Sequence, residues 1–210
     1  MAPKYSLIRS VAVLNSPYSD GMDLIKELTD QLRWHWDHQA RPRLASLTDA
    51  EYFWEPVGGC WSVRPRGTGA ADLQVGSGAL TIDFTYPEPV PAPVTTIAWR
   101  MGHLMVGVLG ARVGSHFGGE PIDYETFDYP GTAAEALKRL DGLYEQWSAG
   151  VAGLDPAALD RAVGPAEHDF AAAPMGALIL HVNREMIHHL AEIALLRDLY
   201  VWRTKPGSAS

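Results

Sequence analysis

Residues 174–202 read PMGALILHVNREMIHHLAEIALLRDLYVW, and the fold class turns on how this stretch is read. Leu178, Val182, Met186, Leu190, Ile193 and Leu196 recur at three- and four-residue spacing, the period of an amphipathic helix. Pro174 suits a first helical turn, where its missing N–H would have had no partner anyway. The spacing predicts one long helix from near Pro174 to about Trp202. Its most apolar run, Met175 to Leu180, is far short of the roughly 20 residues that a bilayer span needs, so the helix is expected in a protein core, with no membrane partner.

The same period recurs three times upstream. A first helix is signalled from Ser19 or Asp20 as N-cap through Leu24, Ile25, Leu28 and Leu32 to about Arg41, where Pro42 bends or ends it. Thr48 and Glu51 have capping-box spacing, so Thr48–Trp54 is expected to add one or two turns before Pro56. A second long helix starts at Thr95 or Thr96 and runs through Ile97, Met101, Leu104, Val108 and Val113 to Gly118 and Gly119. A third opens with another capping box, Thr132 and Glu135, and continues through Leu137, Leu140, Tyr144 and Trp147 to Gly150 or Gly153. Between the first two helices, residues 57–93 are rich in Gly, Pro, Trp and Ser. Alternation at Leu80, Ile82 and Phe84 there predicts a long irregular excursion with a small hairpin. Four long amphipathic helices predict an all-α chain, a four-helix bundle. The bundle domain is expected over residues 19–203, after an N-terminal extension over 1–18 and before a flexible tail over 204–210.

Composition narrows the function. Among 210 residues, 17 Lys+Arg against 25 Asp+Glu give a net charge of −8. The basic residues are scattered, which argues against nucleic acid as a partner. A hydrophobic content of 47% excludes a disordered chain. The single cysteine, Cys60, has no internal partner, which fits a reducing compartment and leads us to expect a cytoplasmic protein. It also leaves any metal to histidine and carboxylate. Cysteine catalysis would want a histidine nearby, nothing in the sequence places one, and Cys60 reads as buried and inert. There is no Walker loop, dinucleotide glycine fingerprint or serine nucleophile elbow.

On the fourth helix, His181, Glu185 and His189 are successive four-residue steps and share one face. An i, i+4 pair sets two donors about 5–6 Å apart at their Cβ atoms, so Glu185 and His189 suit a metal ion. On the second helix His103 lies in Trp99-Arg-Met-Gly-His103, beside the apolar Met101 and Leu104. If these helices are neighbours, His103, Glu185 and His189 supply three ligands and leave a position open, as catalytic sites do. The plainer alternatives are a surface Glu/His pair and a hydrogen-bonded core histidine. His181 and His188 are candidates to orient a ligand, and Arg100 and Arg184 to bind an anionic cofactor or substrate, with Arg64 as another handle. Each also reads as an ordinary surface residue. Tyr124, Phe127 and Tyr129, among Asp123, Glu125 and Asp128, either line a pocket mouth or pack over the core.

Four features together resemble the DinB/YfiT-like superfamily: Gly59-Cys-Trp61-Ser-Val-Arg64, Trp99-Arg-Met-Gly-His103, Pro130-Gly-Thr-Ala-Ala-Glu135, and Glu185-Met-Ile-His188-His189-Leu-Ala-Glu-Ile. That superfamily includes the N-terminal domain of mycothiol-dependent maleylpyruvate isomerase, and the resemblance spans roughly residues 20–203. It implies a four-helix bundle in up-down-down-up order. It also implies a divalent metal, zinc or nickel, on one histidine of helix two and a His-x-x-x-His or Glu-x-x-x-His pair of helix four. Carried onto this chain, the ligands are His103, Glu185 and His189, the same set that the residues themselves suggested. The Glu-x-x-x-His version, which the isomerase branch resembles, lowers the site's charge by one relative to three histidines and favours a harder metal. Zinc is the first choice here and nickel the second.

Two classes of function follow. One is a metal-dependent S-transferase or isomerase that activates a low-molecular-weight thiol of the mycothiol or bacillithiol type toward a small-molecule electrophile, with a metal-dependent hydrolase as its nearest variant. The other is a non-catalytic bundle that binds a metal or small ligand. A pocket over the metal with polar groups aimed at it would favour the first, and a sealed apolar surround the second. The apolar surplus on the first helix suggests a homodimer.

Overall fold

A computed structural model describes residues 22–87 and 89–205 of the chain. The proposed caps Ser19 and Asp20, the extension over 1–18 and most of the expected tail lie outside them. Asp23 caps the first helix instead, its carboxylate accepting from the Lys26 N–H at 3.1 Å. Helix α1 (Leu24–His35) runs without a break into a wide π-helical turn (Trp36–Ala40) and then α2 (Arg41–Leu44). Pro42 therefore does not end the helix at Arg41; it follows directly on the π-helical turn, in which the Arg41 N–H reaches back to Trp36 O, and the helix runs on to Leu44. Both halves of the Thr48/Glu51 capping box form and open α3 (Asp49–Tyr52).

The excursion holds more order than a hairpin. Strands β1 (Val63–Pro65), β2 (Leu73–Val75) and β3 (Leu80–Phe84) make an antiparallel sheet in the order β1-β3-β2, with Val63 opposite Ile82 and Val75 opposite the same residue. The chain is thus mostly helical with a small sheet, and the all-α expectation needs that correction. The sheet is organised by a buried carboxylate that hydropathy patterning does not reveal. Asp83 accepts from the N–H groups of Ser62 (2.9 Å), Ala70 (2.8 Å) and Ala71 (3.2 Å), and Arg64 lies 3.4 Å away. Three otherwise stranded loop amides are satisfied by one side chain, which is how a Gly/Pro-rich segment holds a fixed shape.

Thr96 caps α4 (Ile97–His103), as expected. The helix widens into a second π-helical turn (Leu104–Gly110) and resumes as α5 (Ala111–Phe117), which ends on Gly118 at φ 70°, a left-handed conformation that glycine adopts without penalty. In the wide turn the Ala111 N–H reaches back to Val106 O, which leaves Gly107 O to accept from Arg112. Thr132 caps α6 (Ala133–Ala152) by accepting from the Glu135 N–H. Of the expected second box, only that half is seen; the Glu135 carboxylate is held by Arg139 at 2.5 Å. Pro174 precedes α7 (Met175–Thr204), the longest helix.

The α1, α4, α6 and α7 segments pack on one another around a shared core. Met101, Leu104, Leu140, Trp147, Ile179 and Met186 are fully buried, each aliphatic side chain contributing on the order of 1.5–3 kcal/mol. Trp36 stacks on Tyr144 with centroids 4.2 Å apart, and Asn183 donates to Leu28 O at 2.8 Å, fixing α7 against α1. Among the described residues, no helix is long and apolar enough to cross a membrane.

Candidate metal centre

His103 ends α4 and His189 lies midway along α7, and the packing of these helices brings their rings to 4.9 Å between centroids, perpendicular to each other. Glu185, one turn before His189, sets Oε2 3.4 Å from His189 Nε2. One ligand atom from each of His103, Glu185 and His189 lies within 4.8 Å of the others. The three residues singled out in the sequence thus converge on one point.

Hydrogen bonds select which ring nitrogens remain. His103 Nδ1 lies 2.7 Å from the Tyr124 hydroxyl, and His189 Nδ1 lies 2.7 Å from Glu192 Oε2. The Glu192 carboxylate can only accept, so His189 donates from Nδ1 and keeps Nε2 as its lone-pair donor, and His103 does the same when the Tyr124 hydroxyl accepts from its Nδ1. That arrangement, a ligand histidine braced through its other nitrogen, is typical of metal sites and raises the ligand's basicity. Burial, then the nearby His189 and the cations Arg100 and Arg112, pushes the His103 imidazole down to about 3. It is therefore neutral at physiological pH, the form that a metal requires. Two imidazoles and one carboxylate within a few ångströms fit a divalent metal ion.

Each orienting group has its own support. Tyr124 is held by an Asx turn in which Asp123 Oδ1 accepts from the Glu125 and Thr126 N–H groups, both at 2.8 Å. A Cβ at Gly107 would overlap the Tyr124 hydroxyl, so only glycine admits it there. Trp99 stacks on His103 at 5.5 Å while its indole N–H donates to Asp83 O at 2.8 Å, tying the histidine to the sheet. Of the aromatic loop, Tyr124 meets the site, whereas Tyr129 is buried against the core.

The remaining candidates are distributed around this centre. Arg100 pairs with Glu192 through Nε at 3.1 Å, lies over the Trp99 ring and comes within 3.4 Å of His189 Nδ1. His188 is exposed and sets Nε2 3.4 Å from the other oxygen of Glu192. His181 Nδ1 is 3.7 Å from Glu185 Oε1, and Arg184 Nε is 3.5 Å from the same oxygen. Arg64 is turned away, bound to Glu55 at 2.6 Å and to Cys60 O at 2.9 Å. Cys60 is buried and donates to Val57 O.

Sequence reasoning did not single out Glu192. Its spacing, three residues after His189, was visible, but the same spacing occurs in many exposed helix pairs. The nearby group His188, His189 and Glu192 also has ligand atoms within 4.8 Å of one another. Its Glu192 oxygens, however, are already taken up by His189, His188 and Arg100.

A cavity of about 400 Å³ opens over the centre. His103 and His189 form part of its lining, Tyr124 and Arg100 add polar groups, and Trp61 and Phe84 bring apolar surface from the excursion. The arrangement is thus a helical scaffold holding a His/Glu/His group beneath a cavity roofed by a small sheet. The sequence pattern of the DinB superfamily matches residues 31–193, and the chain belongs to that superfamily. No curated protein and no solved structure matches the chain significantly.

Proposed function

We propose that the chain binds one divalent metal, zinc before nickel, through Nε2 of His103, a carboxylate oxygen of Glu185 and Nε2 of His189, and that it serves as a thiol S-transferase or isomerase. The fold reading that goes with it is a four-helix bundle of the DinB kind in up-down-down-up order, with α1–α2, α4–α5, α6 and α7 as the four helices. The observation that carries the functional reading is the open cavity directly over the two histidines, with Arg100 and Tyr124 in its wall. A storage or scaffolding site needs no such access.

When bound, the metal supplies Lewis acidity that lowers the pKa of a thiol. The residues of the chain do the rest. Glu192 and Tyr124 hold the two imidazoles in the tautomer that presents Nε2. Trp61, Phe84 and Trp99 exclude water from the reacting sulfur and offer flat surfaces to an electrophile. Arg100 is placed to meet a carboxylate on the thiol cofactor or substrate, whereas Arg184 stands at the outer face of Glu185, outside the lining of this cavity. In a protein of net charge −8 such local cations, rather than a long-range field, must attract an anion. A mycothiol- or bacillithiol-type cofactor fits this chemistry. A cytoplasmic location and a homodimer belong to the same reading, the latter supported by exposed Leu24 and Trp34 on α1.

The test is elemental analysis of protein purified without chelator or metal-affinity tag, followed by conjugation assays with thiols and electrophiles. Near-stoichiometric zinc or nickel, lost in His103→Ala and His189→Ala, together with thiol-dependent turnover is the expected result. Metal with ester or amide hydrolysis and no thiol dependence favours the hydrolase instead. Absence of metal after incubation with divalent ions overturns the reading.

A further inference from the structure

Glu185 has two sides. Oε2 faces His189, whereas Oε1 lies near Arg184 and His181. Near those two residues is a second cavity, of about 390 Å³, which shares no lining residue with the one over His103 and His189. Val163, Ala173, Ala177 and Leu178 line it, and Phe170 stands at it 73% exposed, a large apolar ring left to solvent. Single exposed apolar residues are common, but this one adjoins a concave apolar wall.

The backbone that builds this cavity is held in unusual conformations. Gly164 has φ 84°, and His168 has φ 48° and ψ −115°, the only non-glycine with positive φ among the described residues. A histidine pays strain for that shape, and such strain tends to gather at ligand sites. The chain between them delivers Glu167 inward to Arg112 at 2.9 Å and His116 at 3.0 Å, and two residues past His168 the Phe170 ring is left outward. Arg112 is thereby fully engaged, by Glu167 and by Gly107 O, and its charge is balanced.

Arg184 is different. Its side chain is 69% exposed, and its 3.5 Å contact with Glu185 is a surface pairing of little strength. It also donates to His181 Nδ1 at 2.7 Å. A histidine that accepts at Nδ1 carries its proton on Nε2, so His181 offers a second donor.

We propose that this cavity is a second small-molecule site that takes a compact apolar carboxylate. The carboxylate meets the Arg184 guanidinium and the His181 Nε2–H, and the hydrocarbon body lies against Phe170, Ala173, Ala177 and Leu178. A bidentate guanidinium–carboxylate pair supplies the charge recognition, and the aromatic rim supplies most of the burial. An occupant here sits one carboxylate, Glu185, away from the candidate metal centre. The inference does not depend on metal chemistry, because every group it invokes belongs to the chain.

The experiment is an amide NMR titration of the full, metal-stripped chain with 4-phenylbutyrate and, separately, with the neutral 4-phenylbutan-1-ol. Saturable shifts centred on Val163, Ala173 and Ala177 are expected, with the acid binding at least fivefold more tightly than the alcohol. Ala177 is exposed on α7, so Ala177→Leu fills the cavity without disturbing the core, and it should abolish binding of both. Arg184→Gln should reduce the acid to the alcohol's affinity and leave the alcohol unchanged. Shifts that do not saturate, that centre on Trp61 and Trp99, or that survive Ala177→Leu overturn the proposal, as does an acid affinity indifferent to Arg184→Gln. Zinc content of the untreated protein, measured in parallel, judges the metal reading separately.

Discussion

Two clusters of histidine, carboxylate and arginine flank α7, and they are built from the same residue types. In one, Glu167 accepts from Arg112 at 2.9 Å and pairs with His116 at 3.0 Å, and its carboxylate is nearly inaccessible. In the other, His103, Glu185 and His189 converge under an open cavity, and their outward nitrogens are taken by Tyr124 and Glu192. The first cluster is closed: its charges balance and its oxygens are both used. The second turns its remaining lone pairs toward a common point. What separates the structural cluster from the candidate metal centre is where the leftover lone pairs aim, since the composition is nearly the same.

The largest contrast is expected in metal content. His189→Ala should empty the centre, whereas His116→Ala should retain metal at the level of the unaltered protein, as read by elemental analysis. Equal losses in both would erase the distinction. Next in size, Glu167→Ala leaves Arg112 and His116 without their buried partner and should destabilise the fold by roughly 3–5 kcal/mol, measured by denaturant unfolding, with metal content unchanged. Glu192→Gln keeps a hydrogen-bond acceptor beside His189 but removes the charge, and it should weaken metal affinity by about 10–100-fold in a competition assay with a chromogenic chelator.

The smallest effect is in the pH dependence of stability. Burial alone would raise the Glu167 carboxyl, but hydrogen bonds and charge from Arg112 and His116 outweigh it and hold it below its ordinary 4.5. A carboxyl with a lowered folded pKa stabilises fully above the ordinary value, and this contribution is lost as pH falls below 4.5 toward the folded value, because the unfolded chain takes up the proton first. Glu167→Gln should therefore flatten the acid side of the stability profile of the metal-free protein. An unchanged slope below pH 4.5 would show that Glu167 is not held by its partners in solution.

The two clusters also differ in how far they were legible in the sequence. Glu185 and His189 sit on one uninterrupted helix, so the 3.6-residue period alone puts them together. His103 came from an apolar neighbourhood and from the family resemblance, because nothing in local spacing says that α4 faces α7. The Arg112–His116–Glu167 cluster was invisible, since Glu167 is delivered by an irregular segment with a left-handed turn at Gly164 and a strained His168. The helices were readable from their caps: Thr48, Thr96 and Thr132 each accept the hydrogen bond expected of them. The sheet was read only as a hairpin, because β2 is three residues long and its place depends on Asp83, a buried charge that an alternating pattern counts as exposed. Neither wide helical turn left a mark in the spacing.

The wide turn at Leu104–Gly110 has a consequence for rotation about the helix axis. At about 100° per residue, an unbroken α-helix would put His103 and Arg112, nine positions apart, on opposite sides. The π-helical turn winds more slowly and swings them back toward the same neighbour, so that His103 meets His189 while Arg112 reaches the cavity beside His181. A single helix thereby addresses two successive levels of α7. Deleting one residue so that the turn becomes regular α-helix would leave the two side chains eight positions apart, about 80° at roughly 100° per residue, so both levels would still face α7.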